Sequence, residues 1–161
     1  MNYELSTVNN NIKMKIFIAL MYCLVIVYGA IGQQTVPTEK QRKELSALID
    51  KYSKARENRD TVLLKNILTQ DIDQLVSTGE WRNGLAASVN GMLRSSASTP
   101  GSRSLIVDKI KLLSSSSAIV DCRYEIQNAD GTMRKMWSTF IAVSVAGTWK
   151  ITSIRNMLPS Q

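Results

Sequence analysis

Two aspartates and one tyrosine are the side chains best suited to acid–base chemistry in this sequence. Asp71 and Asp73 follow a predicted short helix, and Tyr124 lies in an apolar stretch that alternates like a strand. Carboxylates and phenols both serve as general acids or bases in enzymes. The alternative is structural, because aspartate is common at turns and tyrosine on a strand face usually belongs to the core. The catalytic candidates are therefore Asp73 and Tyr124, with the structural interpretation favoured for both.

The chain contains no histidine, and this excludes several kinds of active site. Its 161 residues include two cysteines, Cys23 and Cys122. Without histidine there is no Ser–His or Cys–His nucleophile pair and no metal site built from several Cys and His ligands. Cys122 is the only cysteine outside the apolar N-terminal segment, so we expect no intrachain disulfide in the mature protein. We also expect no metal and no cofactor.

The basic residues are scattered along the chain. The formal net charge is +7, and many of the lysines and arginines fall on the first predicted helix, where we assign them to its solvated face. A nucleic-acid-binding surface needs a basic stripe interleaved with stacking aromatic residues, and the sequence has no such stripe. We therefore expect no nucleic-acid partner.

An uncharged apolar run spans residues 16–32 and follows Lys13 and Lys15. A basic start, an apolar centre and small residues near the end are the pattern of a signal peptide. Ala30 and Gly32 have the spacing of a cleavage pair, so we predict cleavage near Gly32. The alternative is an uncleaved leader, although a membrane anchor ordinarily needs about 20 apolar residues. Such a leader would be the only expected contact with a membrane.

These signals divide the chain into four parts. We predict a signal peptide over residues 1–32, with translation starting at Met14, and a linker over 33–38. One domain is expected over 39–157, followed by a tail at 158–161, because a chain of this length has room for a single domain. The mature protein is expected to be periplasmic or secreted.

The first helix has the clearest local signals. Thr38 and Gln41 have the spacing of a capping box, in which each side chain accepts a hydrogen bond from the other residue's backbone N–H. The helix is predicted to end near Asn58. Its apolar stripe follows the i, i+3, i+4, i+7 spacing of one helix face and comprises Leu45, Leu48, Ile49 and Tyr52.

Two shorter helices and a small hairpin are expected next. Asp60 has the position of an N-cap for a second helix, which is predicted to end around residues 69–71. A hairpin over residues 74–82 has its predicted turn at Gly79. The third helix is predicted over residues 85–94.

The remainder of the chain reads as a loop followed by strands. Ser, Pro and Gly dominate residues 95–104, which predicts a loop. The predicted strands are residues 105–113, 118–127, 133–145 and 148–156. Alternation along the second strand places Ala118, Val120, Cys122, Tyr124 and Ile126 on one face. Arg123 and Glu125 point to the opposite face, where we expect cross-strand or dimer contacts.

The order of these elements resembles the nuclear transport factor 2-like superfamily, and within it the polyketide-cyclase and ketosteroid-isomerase-like branch. The resemblance rests on Asp60, Thr69–Asp71, Gly79, Arg82–Gly84 and Gly147–Ile151. It implies an α+β, cone-shaped fold with N-terminal helices packed into a strongly curved antiparallel sheet. It also implies a pocket inside the cone and a homodimer formed through the outer sheet face. This fold carries enzymes as well as association domains, so it does not decide the function.

The predicted pocket is apolar, with at most one titratable group, and suits a small apolar ligand. In ketosteroid isomerases the resemblance places the catalytic base just before the hairpin glycine, but residues 74–79 contain no carboxylate. That specific chemistry is therefore not expected. The residues expected to line the pocket are Tyr52, Trp81, Met92, Cys122, Tyr124, Trp137 and Trp149.

Two functions remain open at this point. The first is an exported small-ligand-binding or association domain without catalytic activity. The alternative is an isomerase, cyclase or dehydratase for a small hydrophobic substrate, with Asp73 or Tyr124 as acid or base. Asp71 and Asp73 distinguish the two, because finding both on the solvent side would exclude an aspartate base inside the cone.

Overall fold

The structure is a computed structural model that describes Lys15, residues 36–98 and residues 101–159. Apart from Lys15, the predicted signal peptide lies outside the described residues, as do residues 33–35 of the predicted linker. No helix within the described residues is long and apolar enough to cross a membrane.

In the described part of the chain three helices precede most of the sheet, and the first two start at the predicted capping signals. The backbone N–H of Gln41 donates to Thr38 Oγ1 at 3.2 Å, and that of Thr38 donates to Gln41 Oε1 at 2.9 Å. Asp60 caps the second helix by accepting from the backbone N–H of Leu63 at 2.9 Å. Both predicted caps are confirmed. The helices are α1 (Glu39–Glu57), α2 (Thr61–Ile67) and α3 (Leu85–Ser98).

The six strands form one mixed sheet in the order β2-β1-β6-β5-β4-β3. All neighbouring pairs are antiparallel except β1 and β6, which run parallel. The predicted α+β cone is confirmed, whereas the expectation of a wholly antiparallel sheet is corrected by this pair. The strands are β1 (Leu68–Leu75), β2 (Trp81–Asn83), β3 (Gly101–Ser114), β4 (Ser117–Asn128), β5 (Met133–Val145) and β6 (Thr148–Met157).

The second helix ends earlier than predicted. Residues 69–71 belong to β1, because Leu68 and Ile72 are buried against the core and Leu68 pairs with Ile151 of β6. Pairing with a strand some 80 positions away in the chain overrides the local helix-end signal. The predicted hairpin is confirmed, since Leu75 pairs with Trp81 around a turn in which Gly79 has a φ of 90°.

The third helix is longer than predicted, and the expected loop at residues 95–104 is correspondingly shorter. The helix continues to Ser98, and β3 begins at Gly101. Serine is a weak helix former, but Ser95 and Ser96 hydrogen-bond to arginines from other elements. These tertiary contacts stabilise one more helical turn.

The core lies between α1 and the inner, concave face of the sheet. The face of β4 that carries Cys122 is buried along its whole length, as predicted. Tyr52 of α1 packs edge-to-face on Phe140 of β5, with ring centroids 5.2 Å apart. Burial raises the pKa of the Cys122 thiol to about 12, so this side chain is a small apolar core residue rather than a nucleophile.

The outer sheet face carries the predicted cross-strand charges. Glu125 pairs with Lys135 of β5 in the strand register, with their charged groups 3.9 Å apart. Arg123 lies 3.7 Å from Asp108 of β3. The expectation of cross-strand contacts for Arg123 and Glu125 is therefore confirmed.

Candidate functional site

A cavity of about 240 Å³ opens between the end of α1, the β1–β2 hairpin, the last turn of α3 and the inner sheet face. Its most distinctive feature is its charge. Glu80 is the single carboxylate among the described residues that line it. The cationic lining residues are Arg56, Arg82, Arg103 and Arg134.

Arg56 is deeply buried but has few hydrogen-bond partners. Its residue is only 6% exposed, in the last turn of α1. Nη1 donates to the Tyr52 hydroxyl at 3.1 Å, Nη2 donates to Ser96 Oγ at 3.5 Å, and Nε has no hydrogen-bond partner. No carboxylate of the described residues forms an ion pair with Arg56. A buried guanidinium in this situation lacks the counter-charge that buried ions normally require.

Arg82 is also buried, but its charge is fully paired. Nε donates to Glu80 Oε1 at 2.9 Å, and Nη2 donates to Glu80 Oε2 at 3.3 Å. The guanidinium also donates to Gln74 Oε1 at 3.4 Å and to Ser95 Oγ at 3.1 Å. The hydrogen bond from Arg82 holds the pKa of the Glu80 carboxyl below its usual range. This pair therefore joins the hairpin to α3 and does not attract a ligand.

A glycine makes room for that arrangement. Gly91 lies on the side of α3 that faces Arg82, and a Cβ at this position would overlap with the Arg82 guanidinium group. Alanine is the stronger helix former, so local propensity does not explain a glycine inside a helix. The close approach of Arg82 does.

Arg103 and Arg134 flank the cavity from the sheet. In the strand register Ile126 of β4 pairs with Arg103 of β3 on one side and with Arg134 of β5 on the other. The Arg103 guanidinium donates to the Ser95 backbone carbonyl at 3.5 Å, and Arg134 donates to Ser77 Oγ at 2.7 Å. The two cations thus stand on either side of an apolar residue at one end of the inner sheet face.

The charge of the cavity corrects the expectation of an apolar pocket with at most one titratable group. Its described lining holds four arginines and one carboxylate, and neither Arg56 nor Arg134 forms an ion pair with a carboxylate of the described residues. The sequence predicts a solvated face for the basic residues of the first helix, Arg56 among them, and the burial of Arg56 corrects this expectation. A usable signal was present, because Arg56 follows Tyr52 by four residues and so continues the buried stripe of α1.

The predicted pocket-lining residues are distributed over different parts of the fold. Tyr124 lines the cavity, and Tyr52 lies beside it as a hydrogen-bond partner of Arg56. Burial raises the pKa of the Tyr52 hydroxyl, so it is a neutral phenol at physiological pH. Met92 and Cys122 are fully buried core residues and do not line the cavity.

None of the three predicted pocket tryptophans lines the cavity. Trp81 and Trp137 are 52% and 40% exposed and lie outside the core. Trp149 lines a separate open groove beside α1 and α2, where its Nε1 donates to Glu44 at 3.3 Å. The groove has one acidic and one basic lining residue, Glu44 and Lys51, so its charges balance.

Asp71 and Asp73 do not face the cavity. Asp71 is exposed, and Asp73 lies on the outer side of β1 between the buried residues Ile72 and Gln74. Asp73 binds Arg155 through both carboxylate oxygens at 2.9 Å and also accepts from Ser153 Oγ. The interpretation of Asp73 as a base inside the cone is therefore wrong.

The Asp73–Arg155 pair predicts a pH-dependent contribution to stability. The hydrogen bonds from Arg155 lower the pKa of Asp73, so the pair stabilises the folded state at neutral pH. Because the pair is partly solvent-exposed, we expect Asp73→Asn to cost no more than about 1 kcal/mol at pH 7. The difference should shrink as the pH falls below about 4 and vanish below the folded-state pKa of Asp73. Urea unfolding of both proteins from pH 7 to pH 2 measures this, and a cost that is unchanged at pH 2 would contradict it.

Comparison with known proteins gives similarity in structure alone. No protein-family model matches the chain, and no curated protein is detectably similar to it in sequence. A nuclear transport factor 2-like protein of unknown function from Shewanella oneidensis is 18% identical, with a TM-score of 0.63, over 72% of this chain and 98% of that one. A domain of unknown function with a cystatin-like fold from Nostoc punctiforme is 12% identical, with a TM-score of 0.69, over 78% and 81% of the two chains.

A third similar structure carries a functional description. It is a candidate calcium/calmodulin dependent protein kinase II association domain from Xanthomonas campestris, 14% identical, with a TM-score of 0.64, over 81% of this chain and 97% of that one. Identities this low establish a common fold and leave membership of the superfamily, and of a branch within it, a prediction. The described domain therefore has the nuclear transport factor 2-like fold that the order of its elements predicted.

Proposed function

We propose that this protein is an exported small-ligand-binding domain and that its ligand is a small organic anion held in the arginine-lined cavity. The observation that carries the proposal is Arg56, a buried guanidinium with an unpartnered Nε and no carboxylate partner among the described residues. An uncompensated buried ion costs several kcal/mol, and a ligand carboxylate would supply the missing charge through strong, charge-assisted hydrogen bonds.

The end of α3 offers a competing explanation for the arginines. The last turn of a helix carries a partial negative charge, equivalent to roughly half an elementary charge, and arginines often cap it. Three of the cavity arginines do contact serines of this turn. Half a charge does not balance the whole charge of the buried Arg56, and Arg134 contacts Ser77 instead of this turn, so capping accounts for only part of the cluster.

The size of the cavity limits the ligand. A volume of about 240 Å³ is below the roughly 300 Å³ at which pockets for drug-sized molecules begin. This favours a compact metabolite. The apolar part of the wall, formed by Tyr124, Ile126 and Met136, suits a short hydrocarbon segment beside the acidic group.

The positions of the acid–base groups favour a binding function without catalysis. Asp73 lies outside the cavity, and the Glu80 carboxylate is occupied by Arg82. Tyr124 is the remaining catalytic candidate that lines the cavity. The arginines that line the same cavity would stabilise an anion in the ground state as well as in a transition state, so they do not indicate catalysis.

Ligand-dependent thermal stability tests this function. We expect butyrate and benzoate to raise the melting temperature at constant ionic strength, because a ligand of the folded state adds about 2.7 kcal/mol at 100 times its Kd. Butyramide and benzamide have nearly the same shape without the charge and should have no effect. The variant Arg42→Gln, which removes an exposed arginine far from the cavity lining, should respond like the parent protein. Equal responses to acids and amides, or no response to any acid, would refute anion binding.

Self-association is a second proposal, and an exposed apolar pair on the outer sheet face supports it. Trp137 of β5 and Met157 of β6 face each other in the strand register and are 40% and 47% exposed. Large exposed apolar side chains at neighbouring positions of a sheet face favour a protein interface. The similar Xanthomonas structure, described as an association domain, favours the same role. Sedimentation equilibrium should give twice the monomer mass, with Trp137→Glu reverting to a monomer, and a monomeric parent protein would exclude the dimer.

Export is proposed from the apolar run at residues 16–32 alone. N-terminal sequencing of the mature protein is expected to begin near Gln33. A mature protein that retains Met14 would contradict cleavage.

A further inference from the structure

We propose that the cavity has two separate anion-binding points, at Arg56 and at Arg134, and that its ligand is a short dicarboxylic acid with an apolar segment between the two acid groups. This inference rests on the proposed function and specifies the class of anion. It depends on three features of the cavity, namely a deep cation, a cation at the edge, and the apolar side chains that separate them.

The deep binding point is Arg56. Its guanidinium is held on one side by the Tyr52 hydroxyl and on another by Ser96 Oγ, both neutral groups. The buried Nε remains without a partner, and Arg56 lines the cavity, so the counter-charge that its guanidinium lacks is left to a ligand. A carboxylate at this point would replace water with a paired, desolvated ionic contact, which is the condition under which charge pairs contribute most.

The second binding point is Arg134, which belongs to a different element and has a different neutral partner. Its Nη2 donates to Ser77 Oγ of the hairpin turn at 2.7 Å. No carboxylate among the described residues forms an ion pair with it. Arg134 is only partly buried, so an acid group bound here stays in contact with solvent at the edge of the cavity.

Apolar side chains lie between the two points. Met136 follows Arg134 by two residues on the inner face of β5, about 7 Å along the strand. Tyr124 pairs with Met136 in the register and is close enough to Arg56 to interact with it electrostatically. A ligand that reaches from Arg134 to Arg56 therefore passes along Met136 and the Tyr124 ring, where methylene groups are favoured over polar ones.

A single compact anion such as phosphate explains this arrangement less well. Phosphate binds tightly where several cations converge on one point. Here Arg56 and Arg134 belong to different elements and are held by different partners, Tyr52 and Ser77. Two charges at the ends of a short chain fit that separation.

Calorimetric titration at constant ionic strength separates these possibilities. The probes are succinate, glutarate and adipate, each compared with the monoacid of the same carbon number, together with inorganic phosphate. At one chain length we expect the diacid to bind at least tenfold more tightly than its monoacid. Arg134→Gln should abolish this preference and leave monoacid affinity within about twofold, whereas Arg56→Gln should weaken both.

Each other outcome overturns the proposal in a recognisable way. Equal affinity for diacids and monoacids at every length would refute the two-point site and leave anion binding intact. Phosphate binding more tightly than every diacid would replace it with a single-point site. Failure of all acids to bind would refute this inference together with the proposed function. The chain-length comparison uses the parent protein, so it remains decisive even where a variant fails to fold.

Discussion

Replacing Arg56 with glutamine is expected to weaken the binding of a small organic acid at least 100-fold. The variant leaves the ligand carboxylate in a desolvated site without its charged partner, and truncating one member of such a pair typically costs 2–5 kcal/mol. A loss of about 2.8 kcal/mol corresponds to 100-fold in Kd. Titration of the parent protein and the variant with the tightest acid measures the change directly.

The stability of the same variant separates a binding role from a structural one. Glutamine can still hydrogen-bond in the direction of Tyr52 and Ser96, and its neutral side chain removes an uncompensated buried charge. We therefore expect the ligand-free variant to unfold at the same temperature as the parent protein or higher, as is common where a binding site is built at the expense of stability. Arg42→Gln should change neither property. Parent-like affinity in Arg56→Gln would contradict the assignment of this residue to the site.

Local signals in the sequence were enough to predict the helical part of the fold. The capping box at Thr38 and Gln41 and the N-cap at Asp60 involve atoms within three residues of each other. Such contacts depend little on the remainder of the chain. The β1–β2 hairpin was predictable for the same reason, because Gly79 adopts a positive φ that favours glycine.

Local sequence signals could not predict the start of the first strand. Its residues 69–71 combine polar and β-branched side chains after a helix, and nothing nearby shows that the partner is a parallel strand. The hydrogen bond between Thr69 and Thr152 joins positions 83 apart in the chain. Parallel pairing of this kind is set by the tertiary fold.

The positive charge of the cavity was not predicted because its cations come from four different elements. Each arginine was consistent with a solvated position when considered alone. Two of them nevertheless occupy positions in the core-facing periodicity, Arg56 four residues after Tyr52 and Arg134 two residues before Met136. A cation at a position that the periodicity assigns to the core is therefore the signal to look for. The tryptophans show the converse error. Trp81 and Trp137 are large and apolar and were predicted to line the pocket, but both are exposed.

Arg82 is expected to have the largest effect on stability among the cavity residues. Replacing it with methionine should lower the free energy of unfolding by about 2–4 kcal/mol, because Gln74, only 1% exposed, loses the partner of its amide oxygen and the ion pair with Glu80 is broken. Urea unfolding measures the loss.

Two matched variants determine whether the buried guanidinium itself carries this stability. Arg94→Gln removes a cation that is 3.9 Å from the same carboxylate but largely exposed, and it should cost no more than about 0.5 kcal/mol. Gly91→Ala leaves Arg82 in the sequence but places a methyl group in the space that its guanidinium occupies. It should therefore destabilise the protein although alanine is the better helix former. A Gly91→Ala protein as stable as the parent would show that Arg82 can move without consequence, and that its contacts with Glu80, Gln74 and Ser95 do not hold the hairpin against α3.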